Sequence, residues 1–308
     1  YIPVLKGLRM RQYDWVLLDE AQDANLIRLA MAKMMLKPGG RFVGVGDDSQ
    51  AIFGFTGADA DCFNSITEQF SATKLNLTVS YRCPKSVVKQ AQQWVSHIES
   101  AENAIDGLVE HIDSKSFSDR IDGLSVSDAI LCRNTMPLVK MAYKLITAGK
   151  GCMIEGRDIG LGLVKLVSKW KRIKKIAAYR NKLESWREAE IAKALAKGNE
   201  NRAATVADQT DCVFAIMAQL SDDETIEVLK QKILALFGDT PPGEKPRVTI
   251  LSTIHRSKGR EWPNVYIYGH ETYQPSSYAR QEWQMIQERN LMYVAATRAQ
   301  ERLVYVSV

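Results

Sequence analysis

Two polar clusters each follow a short apolar run, and each could handle a phosphate. Asp19-Glu20-Ala21-Gln22-Asp23 comes directly after Tyr13-Asp14-Trp15-Val16-Leu17-Leu18. Ligands of open α/β sheets bind beyond the carboxyl ends of strands. A carboxylate placed there can hold Mg²⁺, a hard cation that takes oxygen donors. Its neighbour can orient and deprotonate a water for attack on a phosphoryl group. A charged strand-to-helix turn with an Asp N-cap is the plainer reading, and the residues alone leave both open. The second cluster runs from Gly46-Asp47-Asp48-Ser49-Gln50 through Phe53 and Phe55 to Ala58. The Gln50 amide could sense a γ-phosphate by hydrogen bonding. Phe53 and Phe55 could stack on unpaired bases, at about 1–3 kcal/mol per base. Core packing is the other reading of the two rings.

A third feature is a basic stretch. Residues 165–182 hold Lys165, Lys169, Lys171, Arg172, Lys174, Lys175, Arg180 and Lys182 with no acidic residue among them, and Trp170 and Tyr179 are interleaved. Such a stripe can neutralise nucleic-acid phosphates and make binding salt-dependent. A solvated helix face is the alternative. The net charge of +5 is compatible with a nucleic-acid partner but too mild to require one. The five cysteines are scattered with no Cys-x-x-Cys pair, which points to reduced thiols and away from a zinc site. No apolar run approaches the ~18 residues of a membrane helix.

These clusters need a scaffold. The run 13–18 reads as a strand of a parallel sheet buried on both faces. Residues 24–36 show helical spacing, stopped by Pro38-Gly39-Gly40, and 42–46 read as the next strand. Strand–helix–strand alternation argues for an α/β fold with a parallel sheet. A second such region begins near Leu108. It comprises a strand at 129–132, a helix at 136–148 with a Gly149-Lys150-Gly151 turn, strands at 247–251, 265–268 and 303–306, and a helix at 280–296. The segment 161–240 lacks a convincing strand, is rich in Lys, Arg, Glu and Ala, and exits through Pro241-Pro242-Gly243. With 308 residues the chain can fill two domains. The expected division is 1–105 for a first domain and 106–160 with 245–308 for a second, interrupted by a helical insertion at 161–244.

At this point the motifs resemble a known family. The two clusters are similar to motifs II and III of superfamily 1 DNA helicases of the UvrD/Rep/PcrA type. Ser80-Tyr81-Arg82-Cys83-Pro84 resembles motif IV. Thr253 with Ile254-His255-Arg256-Ser257-Lys258-Gly259-Arg260-Glu261-Trp262 resembles motif V, and Glu288 through Ala299 resembles motif VI. Ile130 to Thr135 resembles the strand and turn that open the second motor domain. Their order and spacing match the family across nearly the whole chain except 161–240. The resemblance implies two RecA-like domains of the P-loop NTPase type, the first incomplete, and a helicase that couples ATP hydrolysis to 3′→5′ movement on single-stranded DNA and to duplex unwinding. It implies ATP and Mg²⁺ as cofactors, single-stranded and partly duplex DNA as partner, and a cytoplasmic, nucleoid-associated location. By the same resemblance Asp19 holds Mg²⁺, Glu20 is the catalytic base and Gln50 contacts the γ-phosphate. Arg82 and Arg298 reach that phosphate as arginine fingers, Tyr81 stacks on adenine, and Gly259 and Glu261 bind the nucleotide. Phe53, Phe55, Thr135, Thr253 and His255 line the DNA path.

Three departures qualify the resemblance. No Gly-x-x-x-x-Gly-Lys-Ser/Thr occurs. Without that loop there is no cradle of backbone N–H groups for the phosphates. Truncation before Tyr1 is the simpler expectation, and these 308 residues alone are then expected not to hydrolyse ATP. Thr56 stands where many relatives carry Arg. The insertion is about half the length expected of the family's accessory domain. A rival reading is a non-hydrolytic nucleic-acid-binding or regulatory module of the same fold.

Overall fold

The computed structural model describes residues 2–54, 62–240, 244 and 247–308. The chain opens with α1 (Ile2–Leu5), then β1 (Tyr13–Leu18), α2 (Leu26–Met34) and β2 (Leu36–Gly44). β1 and β2 pair in parallel. β2 starts earlier than the expected 42–46: Leu36 already pairs with Tyr13, and pairing resumes at Arg41 opposite Trp15. Pro38-Gly39-Gly40 is therefore a bulge inside the strand. Gly39 takes φ +75°, and a Cβ on Gly40 would lie 2.9 Å from the Leu36 side chain. The helix before it stops at Met34 because β2 begins two residues later.

One face of this pair packs on α2 and α3 (Cys62–Phe70), where Leu29, Cys62 and Ile66 are buried and Phe42 stacks on Phe70 with ring centroids 3.8 Å apart. The other face carries Trp15, Leu17 and Val43, all exposed. The expectation that β1 is covered on both faces fails among the described residues, since α2 and α3 cover one face only.

A short strand pair follows, β3 (Val79–Ser80) with β4 (Glu99–Ser100), joined through α4 (Lys85–Ala91). The chain then enters the larger sheet with β5 (Leu108–Asp113), α5 (Ser114–Asp119), β6 (Asp128–Cys132), α6 (Thr135–Thr147), β7 (Cys152–Glu155) and α7 (Arg157–Val167). Three helices come next: α8 (Ile176–Ala196), α9 (Glu200–Met217) and α10 (Ile226–Leu236). The sheet resumes with β8 (Phe237–Gly238), β9 (Thr249–Thr253), α11 (Ile254–Ser257), β10 (Trp262–Tyr268), α12 (His270–Tyr273), α13 (Glu282–Ala296) and β11 (Ala299–Ser307). Its seven strands run in the order β5-β11-β10-β6-β9-β7-β8, every pair parallel. The expected α/β class with a parallel sheet is thus observed, as befits RecA-like architecture.

A parallel sheet covered on both faces splits its side chains by parity. Ile130 and Cys132 of β6 face a core built with α6 and α8–α10. Ala129 and Leu131 face a second core with Val87, Val88 and Ala91 of α4 and Leu291 and Val294 of α13. α4 lies within the range expected for the first domain, yet its apolar side belongs to the seven-stranded sheet. No helix among the described residues is long and apolar enough to cross a membrane.

The aromatics of the basic stretch have a structural job. Tyr179 is fully buried and Trp170 packs on it and on Trp186, with centroids 5.5 and 6.0 Å apart. Ile176, Tyr179 and Leu183 form one apolar stripe of α8, at helical spacing. The aromatics are therefore core, while Lys171, Arg172 and Lys174 stay exposed.

Candidate active site

The site begins where β1 ends. Asp19 accepts a hydrogen bond from the Glu20 backbone N–H at 2.8 Å. Glu20 sits in the left-handed region, φ 49° and ψ 47°. A non-glycine residue pays about 1–3 kcal/mol for such a conformation, and cases cluster at functional sites. The turn Ala21–Asp23 then folds back so that the Ala21 N–H reaches the Val45 carbonyl beyond β2.

Gln22, for which no role was read from sequence, links both clusters. It is buried and donates from Nε2 to Glu20 Oε2 at 2.5 Å, while its Oε1 accepts from the Asp47 N–H at 3.0 Å. Gly46 is required for this approach, since a Cβ there would fall 2.1 Å from Gln22 Oε1. Asp47 caps the turn Asp48–Gln50 by accepting from the Ser49 N–H, and its other oxygen accepts from Gln50 Nε2 at 2.9 Å. The Gln50 side chain is thus oriented by the residue that starts its own turn.

The second half reaches across to these turns. Lys258, at the end of α11, donates to Asp23 Oδ2 at 2.7 Å and to the Gln50 carbonyl at 2.9 Å, and lies 3.2 Å from Glu20 Oε2. Its ammonium also lies 5.4 Å from the centre of the Phe53 ring. Its side chain is only 7% exposed, so a buried cation serves two carboxylates and a carbonyl at once. Gly259 follows in the left-handed region, φ +79°, which turns the chain towards Glu261.

A cleft of about 840 Å³ opens between the β2 end with the Asp47–Gln50 turn on one wall and Arg82, Tyr293, Thr297 and Arg298 on the other. That volume suits a nucleoside triphosphate. Arg82 forms an ion pair with Glu261, which also accepts from Gln300 Nε2 at 2.8 Å. Arg298 is 1% exposed and held by three acceptors: the Val294 carbonyl at 2.8 Å, the Arg260 carbonyl at 3.2 Å and Thr297 Oγ1 at 3.0 Å. Burial, helped by the nearby Arg82, lowers its pKa to about 10, so it stays cationic at neutral pH. Tyr293 has its phenol pKa raised by burial and by the Asp47 carboxylate across the cleft.

The structure therefore brings Gln50, Arg82 and Arg298 to one cleft, with Glu261 beside Arg82. Asp19 and Glu20 lie off its lining and connect to it through Gln22 and Lys258. Tyr81 stands 86% exposed between Ser80 and Arg82. Phe53 is half-buried, 6.3 Å from His255 by ring centroid. Burial, with Arg133 nearby, pushes the His255 pKa down to about 3 and keeps the ring neutral. Thr253 ends β9, two residues before His255 in the chain. Thr135, expected on the DNA path, is buried at the start of α6, and its backbone N–H is held by Asp208 of α9 at 3.0 Å. Phe55 and Thr56 fall outside the described residues. No cluster of three or more metal-type ligands occurs among the described residues. The Asp19 and Glu20 carboxylates are hard oxygen donors that suit Mg²⁺, an ion commonly held by one or two carboxylates plus substrate phosphates.

Comparison with known proteins gives a consistent result. A family model described as UvrD-like helicase C-terminal domain matches residues 153–308. A second, described as UvrD/REP helicase N-terminal domain, matches residues 4–71. The chain is 28% identical to F-box DNA helicase protein 1 of Schizosaccharomyces pombe over 95% of its own length and 34% of that protein's. It is 22% identical to a probable DNA helicase II homolog of Mycoplasma genitalium over 96% of its own length and 55% of that protein's. With DNA helicase II of Haemophilus influenzae it shares 26% identity over 31% of the chain and 13% of the relative. The chain thus spans about half or less of the length of each of these relatives.

Proposed function

The chain belongs to the UvrD-like helicase family, and from that premise we propose that it forms part of an ATP-driven DNA helicase and translocase that moves 3′→5′ on single-stranded DNA. One observation carries this reading: a single cleft has Gln50 on one wall and two guanidiniums, Arg82 and Arg298, on the other. When bound, ATP with Mg²⁺ supplies the phosphoanhydride whose cleavage drives movement. Asp19 would hold the metal, and Glu20 would take a proton from the attacking water. Arg82 and Arg298 would face the charge that spreads over the γ-phosphoryl oxygens, a role worth roughly 10³–10⁵ in rate for one such cation. Gln50 would donate its amide to the same phosphate. Tyr81 would stack on the adenine, with Glu261 near the ribose.

Lys258 is closer to Asp23, at 2.7 Å against 3.2 Å, so it can remain paired there when Glu20 turns to water. Phe53, Thr253 and His255 would meet the DNA strand, with the exposed basic residues of 171–174 adding phosphate contacts. The protein would then act at the nucleoid. The division near residue 105 carries into this proposal with one adjustment. α4 packs on the seven-stranded sheet and would move with the second half.

The test is DNA-stimulated ATP hydrolysis by the natural gene product carrying these residues, alongside Glu20→Gln. Loss of turnover in the variant is expected, and equal turnover in both removes Glu20 as the base. The rival reading is a non-hydrolytic nucleic-acid-binding or regulatory module of the same fold; these 308 residues carry no Gly-x-x-x-x-Gly-Lys-Ser/Thr loop, so it is the gene product that decides between the two. For the same reason the 308 residues alone are expected to show no ATPase activity. DNA binding without any stimulated hydrolysis by the gene product would favour the module.

A further inference from the structure

The turn that carries Gln50 is held by its backbone from the other side of the cleft. Asn290, on α13, donates from Nδ2 to the Asp48 carbonyl at 3.2 Å and to the Ala51 carbonyl at 3.1 Å. Lys258 takes the Gln50 carbonyl between them at 2.9 Å. Three carbonyls of one four-residue turn therefore have donors from the half of the chain that also supplies Arg298. Within its own half the turn is closed by Gln50 N–H to Asp47 O, Ala51 N–H to Asp48 O and the Asp47 side-chain cap.

The geometry of α13 makes this grip consequential. Asn290, Tyr293 and Thr297 succeed one another at intervals of three and four, so they share one helix face. Tyr293 and Thr297 line the cleft, and Arg298 follows directly. Asn290 lies six residues, about 9 Å, before the end of α13 at Ala296, and Arg298 follows two residues later. The helix is fixed behind by Leu291 and Val294 in the sheet core, and Arg133 grips Glu288 with a bidentate pair at 2.7–3.0 Å. Arg298 lies just past the helix end but is tied back to its last turn by the Val294 carbonyl and Thr297 Oγ1, so α13 places it together with Asn290.

We infer that Asn290 is a positioning residue for Gln50: it locks the Asp48–Ala51 turn to α13, so that the same helix movement that sets Arg298 also sets Gln50. The inference rests on the hydrolytic reading for its effect on turnover, but the lock itself is a structural statement. Lys258 is its companion on the central carbonyl.

Two variants of the natural gene product test it. Asn290→Ala removes both donors. Asn290→Asp keeps the shape but sets a carboxylate against two carbonyls, and should do more harm. Turnover is expected to fall about tenfold in Asn290→Ala, the size of one or two lost hydrogen bonds, with KM for ATP and single-strand affinity unchanged. On a Gln50→Ala background the same substitution should have no further effect, because it acts through Gln50. A merely structural role would lower turnover equally on both backgrounds, and that result overturns the inference, as does unaltered turnover in Asn290→Ala. Hydrogen exchange of the peptide over 48–54 is the second readout and needs no catalysis. Faster exchange there, at unchanged global stability, is expected in both variants, and unchanged exchange overturns the lock. If the unsubstituted protein hydrolyses no ATP on DNA, the proposed function falls, and the exchange measurement alone decides the lock.

Discussion

Replacing Lys258 with Ala should be among the most damaging single changes outside the hydrophobic cores. The Lys258 side chain is only 7% exposed, and its nearest partner, Asp23, is 17% exposed. Asp23 Oδ1 already lacks a hydrogen-bond partner, so the carboxylate depends on Lys258 for compensation. Removing one member of a buried pair typically costs about 3–5 kcal/mol, because the other charge is left uncompensated. Glu20 adds little, since it is 52% exposed and water can replace the cation. The partial exposure of Asp23 puts the cost at the low end of that range, and water entering the vacated space replaces the lost bond to the Gln50 carbonyl. The balance is about 3 kcal/mol. At roughly 2.1 cal/mol/K of unfolding entropy per residue, 308 residues unfolding together would lose about 5 °C in Tm. Urea denaturation followed by circular dichroism, with thermal melts alongside, measures both. Adding Asp23→Asn should recover about half of the loss by removing the stranded charge. A Lys258→Ala cost below ~1 kcal/mol, or double-mutant additivity within ~0.5 kcal/mol, would refute the buried-pair reasoning.

The exposed basic residues give a salt test. Changing Lys171, Arg172 and Lys174 to Ala together should reduce the slope of log affinity against log salt by about 2 for single-stranded DNA, at roughly 0.7 per phosphate contact; an unchanged slope would make this a solvated loop. His255 gives a pH test. Its folded pKa of about 3 lies below the ~6.5 of an unfolded chain, so between those values the unfolded state binds the proton that the folded state refuses. Stability should therefore fall as pH drops from about 6.5, and His255→Gln should lose part of that dependence in urea titrations at pH 7 and pH 5; parallel behaviour of the two proteins would count against a neutral buried imidazole. Arg133→Ala should cost about 3–5 kcal/mol by stranding Glu288, which is 6% exposed, and Glu288→Gln should restore part of it; no rescue in urea midpoints would mean the pair is not the source.

Much of the fold was legible because local signals and tertiary context agreed. Tyr13–Leu18 ends at two carboxylates, and Thr135–Thr147 has helical spacing closed by Gly149. Misreadings came where one local pattern served two structures. Pro38-Gly39-Gly40 is punctuation in a sequence, but pairing on both sides turned it into a bulge. Within the basic stretch, Trp170 and Tyr179 proved to be core, as the spacing of Ile176, Tyr179 and Leu183 would have shown, while the Lys and Arg residues at 171, 172 and 174 stay exposed. β7 was missed because Cys152–Glu155 is only four residues long, and its partners β8 and β9 lie 82 or more residues onward.

What the sequence determined by itself was chemical identity in order: which carboxylates end a strand, which Gln follows the next, and which guanidiniums come later. Chain order and spacing encode these directly, because a strand end and the turn after it are neighbours in sequence. What tertiary structure alone decided was which of these groups share a site. Lys258 meets Asp23 across 235 residues and Asn290 meets Asp48 across 242, contacts that no local periodicity records. They exist because a seven-stranded parallel sheet returns β9, β10 and α13 to the turns after β1 and β2. The physics of the site resides in those crossings: a cation buried between two carboxylates, and a helix that holds a turn by its carbonyls.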